Sequence, residues 1–159
     1  MEKGHTLYTL YLDTCLGLLV LRGSGKAVTE LTVAEEAGTD NPDALLEDAA
    51  RQVLRFLAGK QRELTFPIEP EGTEFQKQVW QALREIPYGH TDTYGGLAAR
   101  IGRPKACRAV GSAAGKNPIL LAIPCHRLLA SDGLGGFSCG LERKKVLLEL
   151  EGRACGIDN

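Results

Sequence analysis

The chain has 159 residues, 43% of them hydrophobic and 25% charged, which is the composition of an ordinary globular protein with a core of its own. No apolar run approaches the ~18 residues of a membrane span. The first residues, Met1 to His5, lead into alternating sequence rather than a secretory signal, so no membrane association and a cytoplasmic location are expected, or a nuclear one in a eukaryotic source.

The formal net charge of −1 hides an asymmetry. Residues 1–72 carry 7 basic and 12 acidic side chains (net −5), and residues 73–159 carry 12 and 8 (net +4). The basic half suits a polyanion such as nucleic acid, and chance segregation of the charges is the alternative. The five cysteines are Cys15, Cys107, Cys125, Cys139 and Cys155. Their odd number, irregular spacing and lack of a C-x-x-C pair argue against a disulfide framework or a zinc site and for reduced thiols, most of them inert.

In chain order, "TLYTLYLDT", "GLLVLRGSG" and "AVTELTV" read as an antiparallel meander, with a turn between Asp13 and Gly17. Asn41-Pro42-Asp43 reads as a helix start with Asn41 as cap, and Leu45, Leu46, Ala49, Val53, Leu54 and Leu57 as its apolar stripe up to Gly59. One helix on a small sheet makes an N-terminal α+β domain over 1–71. Gln61 to Gly72, with two prolines and several acids, reads as a linker holding at most one short strand, with the boundary at Pro70 to Gly72.

Residues 72–159 read as a mostly helical domain. Thr73-x-x-Gln76 is a capping box opening a helix with Phe75, Val79, Trp80 and Leu83 on one face. Thr93 caps a second helix with Tyr94, Leu97, Ala98 and Ile101 inward, and Gly102 stops it. Pro104 opens a third helix running to about Lys116, with Ala106, Val110 and Ala113 inward. The last two, around a short glycine-containing turn, read as a helix-turn-helix. The outer face of the third helix carries Lys105, Arg108, Gly111, Ser112 and Gly115. Glycines cost helix stability, about 1 kcal/mol each, so something must approach this backbone closely. A DNA groove satisfies that together with the basic flank, and a neighbouring helix in the core is the plainer alternative. "ILLAIP" then reads as a buried strand ending at Cys125. A last helix, about Leu141 to Glu151, puts Leu141, Val146, Leu147 and Leu150 inward and Arg143, Lys144 and Lys145 outward.

Cys125 stands between a proline and His126, ahead of a glycine-rich loop. A cysteine attacks as thiolate, which a nearby imidazole produces by taking the proton and a carboxylate supports by orienting the imidazole. Neighbours in a straight strand face opposite ways, so a bend or a bridging water is needed. Glu151 is the candidate carboxylate, and an ionised Cys125 is the expectation.

"PYGHTDTYGGLAARIGRPKA", "RAVGSAAGKNP" and "IPCHR", in this order, resemble the O6-alkylguanine-DNA alkyltransferase family, also called methylated-DNA–protein-cysteine methyltransferases, from about Gly72 to Gly152. The resemblance implies direct repair of O6-alkylguanine, and of O4-alkylthymine, in double-stranded DNA. The base would be flipped from the minor groove, and each molecule would turn over once without cofactor or metal, as a monomer or cooperatively along DNA. Cys125 would be the alkyl acceptor, with His126 its base through a water and Glu151 holding His126. Tyr94 would help rotate the nucleotide and assist the purine. Arg108 would fill the gap in the duplex, with Lys105, Gly111 and Ser112 at the DNA. Asn117 would tie the recognition helix to the active-site strand. Carbonyls near Cys125 and Leu128 and the amide of Ser138 would meet the guanine, Phe137 would wall the pocket, and Lys144 would support Tyr94.

The sequence departs from the family pattern at Leu128 and Phe137, where valine and tyrosine are common, and Cys139 stands where glycine, tryptophan or another residue is found. His5 and Cys15 supply no convincing counterpart to the zinc ligands of some members. The rival readings are a cysteine hydrolase, a lesion binder without chemistry, and a helix-turn-helix regulator with a structural Cys125.

Overall fold

The computed structural model describes residues 7–154, with side chains up to Gly152. Met1 to His5 and Cys155 therefore lie outside the described residues. The chain forms two compact units, one of residues up to Glu71 with Pro118–Leu120, the other of Gly72–Asn117 with the residues from Leu121 on.

The first unit is a three-stranded antiparallel sheet in the order β1 (Tyr8–Thr14), β2 (Gly17–Gly23), β3 (Val28–Val33). Leu10 pairs with Leu21 and Leu12 with Leu19, and on the other side Leu21 pairs with Leu31. The β1–β2 turn is closed by Thr14, whose Oγ1 accepts from Leu16 N (3.0 Å) and donates to Gly17 O (2.8 Å). β2 is the central strand, and Leu19, Val20 and Leu21 are all buried, which explains the unbroken apolar run. The linker is pinned to β3, where Val28 N donates to Pro67 O and Glu69 N to Val28 O.

Helix α1 (Ala44–Leu57) covers this sheet. Its cap is Asp43 and not Asn41: Asp43 Oδ1 accepts from Leu46 N at 2.9 Å, while Asn41 exchanges backbone bonds with Thr9. The buried stripe is Leu46, Ala49, Ala50, Val53 and Phe56, and Leu54 is exposed. At the C-terminus Gly59 N bonds Phe56 O and Lys60 N bonds Arg55 O, the Schellman pattern, with Gly59 at φ 76°.

The second unit contains α2 (Glu74–Arg84), β4 (Asp92–Thr93), α3 (Tyr94–Arg100), α4 (Cys107–Gly115), β5 (Leu128–Leu129) and α5 (Leu141–Ala154). The capping box of α2 forms in both directions. α3 is capped by Thr93 Oγ1, which accepts from Gly96 N at 2.9 Å. α4 begins later than Pro104 implies, at Cys107, with no side-chain cap, and Ala106 is only half-buried. Trp80 Nε1 donates to Ala113 O (2.9 Å), fastening α4 to α2. With Leu83, Leu97, Val110, Ile123, Leu128 and Leu147 buried at its centre, the unit holds α3 and α4 as a helix-turn-helix. The α+β class expected from sequence holds.

Two readings of the C-terminal region are corrected. "ILLAIP" is not a strand: Leu121 turns the chain at φ 71°, and Cys125–Arg127 forms a 3-10 turn leading into β5, which pairs in parallel with β4. In α5, Leu141 and Val146 are exposed while Lys144 is fully buried, so the helix turns a charged residue inward.

Candidate active site

The 3-10 turn is the bend that a straight strand lacked. It places Cys125, His126 and Arg127 in the interior at 5%, 1% and 6% exposure. Asn117, just after α4, reaches back along the same segment. Its Nδ2 donates to Ile123 O (2.7 Å) and to Cys125 Sγ (3.1 Å). Burial pushes the Cys125 thiol up to about 11, only partly offset by the Asn117 bond. This runs against the expectation of an ionised cysteine: desolvation favours the neutral thiol in the resting fold.

His126 and Arg127 converge on Glu151 of α5. His126 Nε2 lies 2.6 Å from Oε2, Arg127 Nε 2.8 Å from Oε1, and Arg127 Nη2 3.0 Å from Oε2. Gly89 N adds a bond to Oε1 at 3.0 Å. Burial alone would raise the Glu151 carboxyl, but the His126 and Arg127 bonds outweigh it and hold the group down at about 2. Burial also keeps His126 below its ordinary value, against the pull of Glu151. The pair is therefore a neutral imidazole against a carboxylate. A carboxylate only accepts, so Nε2 carries the proton and Nδ1 keeps its lone pair.

Cys125 opens onto a pocket of about 380 Å³ lined by Tyr94 of α3, Gly111, Ala114 and Gly115 of α4, Leu128, and Gly136 to Ser138 of the following loop. That is the size of a small-molecule site. A methyl group added at Gly111 would sit 3.5 Å from the Tyr94 ring, and one at Gly115 would meet nothing within 4 Å. The glycines of α4 thus face this pocket. Tyr94 Oη accepts from Gly136 N at 3.1 Å, which leaves its hydroxyl hydrogen available.

Lys144 is buried because its ammonium has three acceptors, the carbonyls of Leu128, Leu134 and Gly136. Burial lowers its pKa. It does not bond Tyr94 itself: it holds the loop whose Gly136 amide bonds Tyr94. The Leu128 carbonyl already accepts from Lys144, and the Cys125 carbonyl from Leu128 N, so each keeps one lone pair for a ligand. Lys105, Arg108 and Ser112 are exposed at and before α4, while Phe137 and Ser138 stand at the pocket.

Two groups central to the cluster carried no assignment from sequence, Arg127 and the backbone around Gly89. Arg127 was in view within "IPCHR". The signal for it was an arginine inside an otherwise apolar, interior segment, which demands a buried anion.

Fold and site together define an α+β protein in which a helix-turn-helix borders a pocket floored by a buried cysteine. Residues 74–153 match the family model described as 6-O-methylguanine DNA methyltransferase, DNA binding domain. The methylated-DNA–protein-cysteine methyltransferase of Methanosarcina acetivorans is 40% identical over 154 residues, covering 92% of this chain and 99% of the relative. The Haemophilus influenzae protein of that name is 42% identical over 154 residues, covering 91% and 86%. The crystal structure of Mycobacterium tuberculosis O6-methylguanine methyltransferase superposes with a TM-score of 0.85 at 38% identity, covering 94% of each chain. A second structure from that organism, of OGT in complex with DNA, gives 0.84 at 40% identity, covering 92% and 93%. The chain belongs to the methylated-DNA–protein-cysteine methyltransferase family.

Proposed function

We propose that this chain repairs DNA directly, moving the alkyl group of O6-alkylguanine, or of O4-alkylthymine, in duplex DNA onto Cys125 in one irreversible turnover. Residues 72–159 carry DNA binding and alkyl transfer, and residues 1–71 form the N-terminal α+β domain. Family membership supports the reaction, and a relative in complex with DNA supports the partner. The observation that carries the assignment is a buried sulfur at a 380 Å³ pocket, next in sequence to an imidazole held at 2.6 Å by an ionised carboxylate.

A base stacked in a duplex cannot reach a sulfur 5% exposed, so the damaged nucleotide is flipped into the pocket, at a cost of about a few kcal/mol. Arg108 at the start of α4 fills the gap, and Lys105, Gly111 and Ser112 lie along the minor groove, where small residues permit close approach. Tyr94 turns the nucleotide and offers its hydroxyl hydrogen to the purine. The remaining lone pairs of the Cys125 and Leu128 carbonyls accept from the guanine amino group, the Ser138 amide faces O6, and Phe137 stacks as the wall.

A thiol held near 11 reacts only if its proton leaves as the new bond forms. The proton passes through a water to His126 Nδ1. As it leaves, the sulfur attacks the alkyl carbon: the S–C bond forms, the C–O6 bond breaks, and its electron pair stays on the guanine, which takes its proton from the Tyr94 hydroxyl, the imidazolium and the phenolate then re-equilibrating through water. Asn117 stabilises charge on the sulfur. The thioether is a poor leaving group, so the molecule is spent.

Incubation with an O6-methylguanine duplex followed by peptide mapping tests this. One methyl should appear on Cys125, lost in Cys125→Ala and kept in Cys139→Ala. A label on Cys139, or repair beyond one alkyl group per chain, refutes the assignment.

A further inference from the structure

Four donors fill the Glu151 carboxylate: Gly89 N and Arg127 Nε on Oε1, His126 Nε2 and Arg127 Nη2 on Oε2. An ionised carboxylate offers about four lone-pair positions, so none is left over. Arg127 is itself fixed from a third side, since its Nη1 donates to Ile86 O at 2.7 Å, and its guanidinium lies 5.5 Å from the centroid of the Tyr88 ring. The guanidinium thus pins both carboxylate oxygens from one side and leaves a single direction open toward the imidazole.

We propose that Arg127 is a positioning residue for the alkyl transfer: by clamping Glu151 through both oxygens it fixes His126 as the Nε2–H tautomer, with the bare Nδ1 free to take the Cys125 proton. The inference rests on the reading of Cys125 as alkyl acceptor. Without the clamp the carboxylate can rotate away or take a proton, and the imidazole can relax to the Nδ1–H form, which has no lone pair on that side. Lysine cannot replace the clamp, because an ammonium is a point donor that does not bridge two oxygens in one plane. The charged and titratable groups around His126 are Glu151 and Lys144 of α5, and Cys125 and Arg127 on either side of it in the chain.

The full chain with ¹⁵N-labelled histidine provides the test, because it has only three histidines. A two-bond ¹H–¹⁵N correlation should show His126 as Nε2–H with a bare Nδ1. Arg127→Met should give a mixture of tautomers and lower single-turnover methyl transfer from an O6-methylguanine duplex by about tenfold or more. Arg127→Lys should fall between them in both readouts. An Nδ1–H signal in the wild-type chain overturns the proposal without any variant. So does an Arg127→Met or Arg127→Lys chain with wild-type tautomer and rate, even though Cys125 is methylated. A wild-type chain that never methylates Cys125 overturns the underlying reading instead.

Discussion

Asn117 is the only group donating a side-chain hydrogen bond to the Cys125 sulfur among the described contacts, and it works against the burial that holds the thiol near 11. Removing it takes away the main force opposing desolvation. Asn117→Ala should therefore move the alkylation of Cys125 by a small haloacetamide to still higher pH and slow methyl transfer. The lost bond to Ile123 O should also cost stability, about 0.5–1.5 kcal/mol for one hydrogen bond, since that carbonyl still accepts from Cys125 N. A pH–rate profile identical to wild type would show that Asn117 only ties the chain. Glu151 as the partner of His126 was a candidate from chemistry, because a base needs an anion to orient it, but the family resemblance carried most of the weight. The resting charge of the sulfur was not legible, because it depends on how much water the fold removes.

At the scale of elements, the pocket loop is set by Gly135 and Lys144. Gly135 has φ 73°, and a methyl group there would come within 2.7 Å of Tyr94 Oη and 3.0 Å of Ala130 N. Gly135→Ala is thus strained twice and must displace Tyr94 or the loop. It should lower single-turnover methyl transfer by roughly tenfold or more, since misplacement on the scale of an ångström is costly. Affinity for undamaged duplex, read by fluorescence anisotropy, should stay unchanged. Equal transfer rates would deny the loop this part. The caps at Thr73 and Thr93 and the meander were readable because their signals are local. The turn at Leu121 was not: a leucine at φ 71° inside an apolar run looks like strand until tertiary packing forces the reversal. Lys144 was hidden for the same reason. Flanked by Arg143 and Lys145, it belongs to a charged face in sequence, and only the carbonyls of Leu128, Leu134 and Gly136 make its burial tolerable.

For the whole molecule, the buried titratable groups bound stability on both sides. His126 and Glu151 both have lowered pKa values in the fold, so the unfolded chain binds more protons as pH falls. Stability should begin to fall as pH drops below about 6.5 through His126, and more steeply below about 4.5, down to about 2, through Glu151. Cys125 acts oppositely. Its raised value means the unfolded chain loses the proton first, so stability is complete below about 9 and is lost as pH rises towards about 11. Urea melts across that alkaline range should show a shallower decline in Cys125→Ala than in wild type; parallel curves would remove the thiol from the account. The Glu151 cluster has one more consequence, in time rather than space. Cys125 and His126 precede Glu151 by 26 and 25 residues, so their partner belongs to a later element of the chain. Until α5 docks, the imidazole has no anion to orient it, so the base assigned to Cys125 is set only when that helix packs in place.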